Sequence, residues 1–95
     1  MNAIRIFYDK QVLPDGAIVE MIIWQLQKPE AKRVHGLKYR LFYGKDGLRL
    51  VGYDNERGKG DHRHYGENEE SYEFESVEKL IADFIADVKK SRGET

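Results

Sequence analysis

The stretch from Ser76 to Gly93 sets the terms for everything that precedes it. Val77, Leu80, Ile81, Phe84, Ile85 and Val88 recur at the i, i+3, i+4 spacing of one helix face. Ser76 suits an N-cap and Glu78 lies in the first turn. Lys89, Lys90 and Arg92 sit where cations complement the end of the helix dipole, and Gly93 is a natural stop. Six apolar side chains contribute on the order of ten kcal/mol when buried, before entropy is subtracted. The helix must therefore pack on a sheet or on another subunit.

The residues before it read as strands. Ile4, Ile6 and Tyr8 alternate loosely up to Leu13-Pro14-Asp15-Gly16, which fits a tight turn. Ala17 to Gln27 follows, apolar on both sides through Met21, Ile22, Ile23 and Trp24, as expected of a central strand covered on both faces. After a break at Pro29 and Gly36, Leu37, Tyr39, Leu41 and Tyr43 alternate with Lys38, Arg40 and Phe42. Gly44-Lys45-Asp46-Gly47 reads as a short hairpin connection into Leu48, Leu50, Val51 and Tyr53. Asp54 to Ser71 reads as a long polar loop, and Tyr72 and Phe74 as a short edge strand guarded by Glu73 and Glu75. The expectation is α+β: one domain over residues 1–95, an antiparallel sheet of four to five strands packed by one C-terminal amphipathic helix. A chain of 95 residues has material for one core.

Cysteine is absent, which removes disulfides, thiolate chemistry and cysteine-type zinc sites, and suits a cytoplasmic protein. The longest apolar run, Met21 to Trp24, is far too short to span a bilayer, so no membrane association is expected. The net charge of −1 conceals two opposite halves. From Lys28 to His64 ten bases stand against five acids; from Gly66 to Val88 eight acids stand against one base. A basic segment containing tyrosines is what a nucleic-acid surface needs, because cations displace counterions from phosphates and aromatic faces stack on bases. Long charged side chains also solubilise the outer face of a sheet, and Lys38, Arg40 and Arg49 alternate as outward residues should.

Chemistry, where the chain has any, concentrates between Tyr53 and Gly66. His62 and His64 are two apart, so in an extended segment both point to one face and Arg63 to the other. Two imidazoles on one face can act as base and acid in cleaving an RNA phosphodiester, with Arg57 or Lys59 stabilising the charge on phosphorus. The candidate catalytic residues are therefore His62, His64, Arg57 and Asp61. Lys59, Arg63, Tyr53 and Arg40 are the candidate nucleic-acid contacts. No cofactor is called for. Two other readings stand beside this one. Asp61-His62-Arg63-His64 with a glutamate from Glu67 to Glu70 could ligate a divalent metal, and the histidines could simply hold a polar turn shut. His35, alone beside Gly36, reads as an incidental loop residue.

The run Tyr53-Asp54-Asn55-Glu56-Arg57-Gly58-Lys59-Gly60-Asp61-His62-Arg63-His64 resembles the TumE family of prokaryotic toxins. So do the preceding His35-Gly36-Leu37-Lys38-Tyr39-Arg40-Leu41-Phe42-Tyr43-Gly44 and the Phe74-Glu75-Ser76-Val77-Glu78 lead into the helix. The similarity runs from about the second strand through the helix. It implies a toxin encoded beside an antitoxin, often a helix-turn-helix DNA-binding protein. The resemblance implies no particular activity, and the residues themselves raise two expectations. One is a small metal-independent endoribonuclease acting on RNA; the other is a noncatalytic protein that occupies a target or its antitoxin through a strand edge, the helix or the acidic half. The open edge of such a sheet also leaves room for a homodimer.

Overall fold

The computed structural model describes residues 3–28, 33–56 and 59–94. Six strands, β1 (Ala3–Val12), β2 (Ile18–Leu26), β3 (Leu37–Lys45), β4 (Leu48–Asp54), β5 (His62–Tyr65) and β6 (Asn68–Ser71), precede helix α1 (Val77–Ser91). The strands form one antiparallel sheet in sequence order, so each pairs only with its neighbours along the chain. At the β3–β4 hairpin Asp46 (φ +54°) and Gly47 (φ +77°) both occupy the left-handed region, the two-residue turn that Asp-Gly favours. Next to the turn Lys45 opposes Leu48 and Gly44 opposes Arg49; a one-residue register shift between Gly44 and Tyr43 then sets the rest, so that Tyr43 opposes Val51, Phe42 opposes Gly52, and Arg40 opposes Asp54.

Residues opposite one another in an antiparallel ladder share a face, so the register sorts the sheet into two surfaces. One carries Val19, Met21, Ile23, Tyr39, Leu41, Tyr43, Val51 and Tyr53, all buried, and receives Leu80, Phe84 and Val88 of α1. The helix crosses this face over β4, with Phe84 edge-on to Tyr53 at 5.7 Å between ring centroids. Its ends follow the sequence. Ser76 Oγ accepts from the Lys79 backbone N–H, and Glu94 N–H donates to the Lys89 carbonyl. Arg92 ties the end of the helix to β3 through the Tyr43 hydroxyl (3.0 Å) and to the β1–β2 turn through Asp15 (3.1 Å).

Four expectations need correction. The sheet has six strands where four to five were expected. The segment taken for a continuous loop forms the β5–β6 hairpin, whose side chains are polar on both faces and so give no apolar alternation to read. Tyr72 and Phe74 form no edge strand; they belong to the connector into α1, and both turn inward to pack against the core. β2 is covered on one face only. Its other apolar residues, Ile18, Ile22 and Trp24, are half-buried on a face that α1 does not cover.

Candidate functional site

The uncovered face of the sheet gathers His62 and His64 with Asp54 and Arg40. Asp54 opposes His62 and Gly52 opposes His64, while Arg40 opposes Asp54 and Phe42 opposes Gly52. Two parallel rows therefore run across the strands: Ile22, Arg40, Asp54, His62 in one, and Glu20, Phe42, Gly52, His64 in the other. His62 and His64 project from β5 to the same side, separated by roughly 7 Å of strand rise.

Each ring is held differently. His62 Nδ1 lies 2.9 Å from the Gly60 carbonyl, which can only accept; Nδ1 therefore carries a proton and Nε2 of a neutral ring keeps its lone pair. His64 is largely buried, and its Nε2 stands 3.4 Å from Glu69 and 3.9 Å from Asp54. A base with a free lone pair thus sits beside an imidazole oriented by carboxylates. Arg40 reaches Glu20 at 3.5 Å with a side chain 56% exposed. Arg49 lays its stem across Gly52, where any Cβ would come within 2.8 Å of Arg49 Cδ. Beside the two arginines lies an open trough of ≈ 460 Å³ lined by Arg40, Phe42, Arg49, Gly52, Asp54 and Glu67, among others, with neither histidine in its wall.

The remaining candidates lie elsewhere. Arg63 points to the helix-covered face, as its place between the histidines requires, and engages Glu70, Tyr53 and Asp87. Tyr53 is fully buried and donates its hydroxyl to Asp87. Burial, with the Asp87 hydrogen bond, pushes that hydroxyl well above the usual tyrosine range. Neither residue shares a face with the histidines. Lys59 is exposed in the connection before β5, 3.8 Å from Glu56, and Arg57 lies outside the described residues.

Asp61 is a structural hub. It accepts from the Tyr39 hydroxyl at 2.7 Å and meets His35 Nε2 at 3.1 Å. Because His35 Nδ1 accepts the Leu37 backbone N–H, its proton resides on Nε2 and is donated to Asp61. The His35 ring lies 4.1 Å from Phe74 between centroids. Burial, then Asp61, raises the Tyr39 hydroxyl far above its ordinary value. This network holds the start of β5 against β3 and so sets where His62 begins. Among the described residues no group of three or more histidines and carboxylates is arranged to hold a metal ion.

Sequence reasoning passed over His35, whose partner is 26 residues away. It also left Asp54 and Arg49 unassigned: the Asp46-Gly47 turn counted out evenly would put Tyr53 opposite Arg40, and the register shift at Tyr43/Gly44, which the sequence does not announce, is what brings Asp54 opposite Arg40 and Gly52 opposite Phe42.

A six-stranded antiparallel sheet with one face under a single helix and the other bearing paired histidines among cations defines a small α+β protein. The family model described as Toxin TumE matches residues 3–92, and the chain belongs to the TumE toxin family. It is thus a toxin component, with an antitoxin implied as its counterpart. The family match extends the resemblance read from the sequence back through β1. No curated protein and no solved structure matches the chain. Among the described residues no helix is long and apolar enough to cross a membrane.

Proposed function

We propose that this toxin is a small endoribonuclease whose reaction takes place on the uncovered sheet face. One observation carries the reading: His62, with a free Nε2, and His64, flanked by Asp54 and Glu69, project side by side from β5 beside Arg40. In the reaction His62 Nε2 takes the proton of a ribose 2′-OH as that oxygen attacks phosphorus. His64 gives a proton to the departing 5′-oxygen, leaving a 2′,3′-cyclic phosphate and a 5′-hydroxyl. Arg40 and Arg49 offer positive charge to the phosphorane oxygens. Proton transfer and charge stabilisation complete this chemistry without a metal. Its setting is the cytoplasm, and its counterpart is an antitoxin of the helix-turn-helix DNA-binding kind.

A second reading is favoured by a different observation. β1 is an edge strand of ten residues with Ile4, Ile6 and Val12 at 72%, 49% and 67% exposure. An edge of this kind accepts another strand. A second copy there makes a homodimer, and an antitoxin strand there makes a noncatalytic complex.

Growth arrest on induced expression separates the two, comparing the native chain with His62→Ala and His64→Ala at matched soluble levels. Loss of arrest with an unchanged circular dichroism spectrum, together with cyclic-phosphate ends on cut RNA, supports the ribonuclease. Arrest retained in both variants overturns it in favour of the edge.

A further inference from the structure

Three aromatic rings lie on the uncovered face, outside the core, and each has a cation over it. Arg5 stands 5.1 Å above Tyr8, Lys38 5.0 Å above Trp24, and Arg40 5.6 Å above Phe42. Shielding of apolar rings by long charged side chains explains the pairs taken singly. It does not explain where the rings stand. Phe42 shares a row with His64, and the residue between them is Gly52, which has no side chain. The stem of Arg49 lies over Gly52, and the open trough there is lined by Phe42, Arg40 and Asp54, the strand partner of His62. Trp24 continues the same face on the far side of Arg40, opposite Lys38. Arg5, Lys10, Lys38, Arg40 and Arg49 belong to this face and outnumber its carboxylates Glu20, Asp54, Glu67 and Glu69.

We propose that this surface binds unpaired RNA, with one nucleobase stacked on Phe42 beside the histidines and a second stacked on Trp24. Stacking a base on an exposed ring is worth more than an exposed cation–π contact. An arriving base therefore displaces the cation above the ring, and the released Lys38 or Arg40 turns to the adjoining phosphate. A duplex cannot do the same, because its base faces are already stacked and its grooves offer nothing to a ring lying on a sheet. Adjacent strands are about 4.8 Å apart, so the three-strand path from β5 to β2 spans roughly 14 Å. That length accommodates a few extended nucleotides. The location of the cut in this picture rests on the ribonuclease reading of His62 and His64; the binding does not.

Trp24 is the one tryptophan in the chain, so its fluorescence reports on this surface alone. The full chain is titrated with a 2′-O-methyl oligoribonucleotide of mixed sequence, which has no free 2′-OH and cannot be cut, and with its duplex. Saturable quenching by the single strand and a much weaker response to the duplex are expected. Phe42→Leu, which keeps apolar volume and removes the π face, weakens binding roughly tenfold. Trp24→Leu, followed by anisotropy of a labelled strand, does the same and stands in if Phe42→Leu fails to fold. Absence of quenching, equal binding of the duplex, or unaltered affinity in folded Phe42→Leu and Trp24→Leu overturns the proposal. Quenching by the antitoxin alone also overturns it and gives the face to a protein. Binding as described without cleavage of any RNA removes the ribonuclease reading and leaves this one standing. Cleavage undiminished in both ring variants does the reverse.

Discussion

Nε2 of His35 donates to the carboxylate of Asp61 across 3.1 Å of space and 26 residues of sequence. The Tyr39 hydroxyl donates to the same carboxylate, so one side chain ties the segment before β3, β3 itself and the start of β5. Replacing Asp61 with Ala leaves two largely buried donors without their acceptor, at a cost of about 2–4 kcal/mol. Urea unfolding of Asp61→Ala is expected to show a lowered midpoint with an unchanged slope. A midpoint within error of the native protein would remove Asp61 from its role as a hub.

Two arginines that look alike in the sequence are expected to behave oppositely. Arg63 engages Glu70, Tyr53 and Asp87 beside the helix, and Arg63→Ala lowers stability by about 1 kcal/mol. Arg40 is exposed on the other face, and Arg40→Ala leaves the melting curve close to native. If RNA is bound, Arg40→Ala reduces the salt dependence of binding by about one phosphate contact. Melting curves and binding at two salt concentrations, measured on both variants, read the difference directly.

A similar contrast separates two glycines. A Cβ on Gly44 would stand 2.6 Å from the Leu48 carbonyl oxygen and 2.6 Å from the Phe42 ring, and the backbone there cannot yield. Gly44→Ala therefore destabilises by about 1–3 kcal/mol. A Cβ on Gly52 meets the flexible stem of Arg49 instead, which can swing aside. Gly52→Ala is expected to fold normally and to lose growth arrest as the Arg49 guanidinium moves off the trough. Thermal melts with an arrest assay distinguish the pair.

Alkali should unfold the protein for an identifiable reason. Tyr39, Tyr53 and Tyr72 all have hydroxyls raised above the ordinary value, by burial first and then by Asp61, Asp87 and Asp83 respectively. An unfolded tyrosine ionises near pH 10, so the stability these hydroxyls contribute is complete below about pH 10 and is lost as pH rises beyond it. Absorbance at 295 nm should show part of the six-tyrosine signal released only with the unfolding transition. Smooth titration of all six before unfolding would contradict this.

What could be read from the sequence was whatever rests on apolar period. Leu80, Phe84 and Val88 announced α1, and Tyr39, Leu41 and Tyr43 announced the buried side of β3. The parity of His62, Arg63 and His64 was legible because strand geometry leaves no choice once the segment is extended. The β5–β6 hairpin was not, since it is held by backbone ladders and by charged cross-strand pairs such as Arg63 with Glu70. The burial of Tyr53 was hidden for another reason: a tyrosine is equally at home on a surface and in a core, and only Asp87, 34 residues on, decides between them.

The neighbour-to-neighbour order of the six strands has a consequence for timing. Such a sheet can assemble hairpin by hairpin as the chain emerges, each pairing made from residues already synthesised. The core cannot close until Leu80, Phe84 and Val88 arrive from the last element. A half-made chain therefore exposes its sticky side, and an antitoxin present at that moment meets a toxin that has not finished folding.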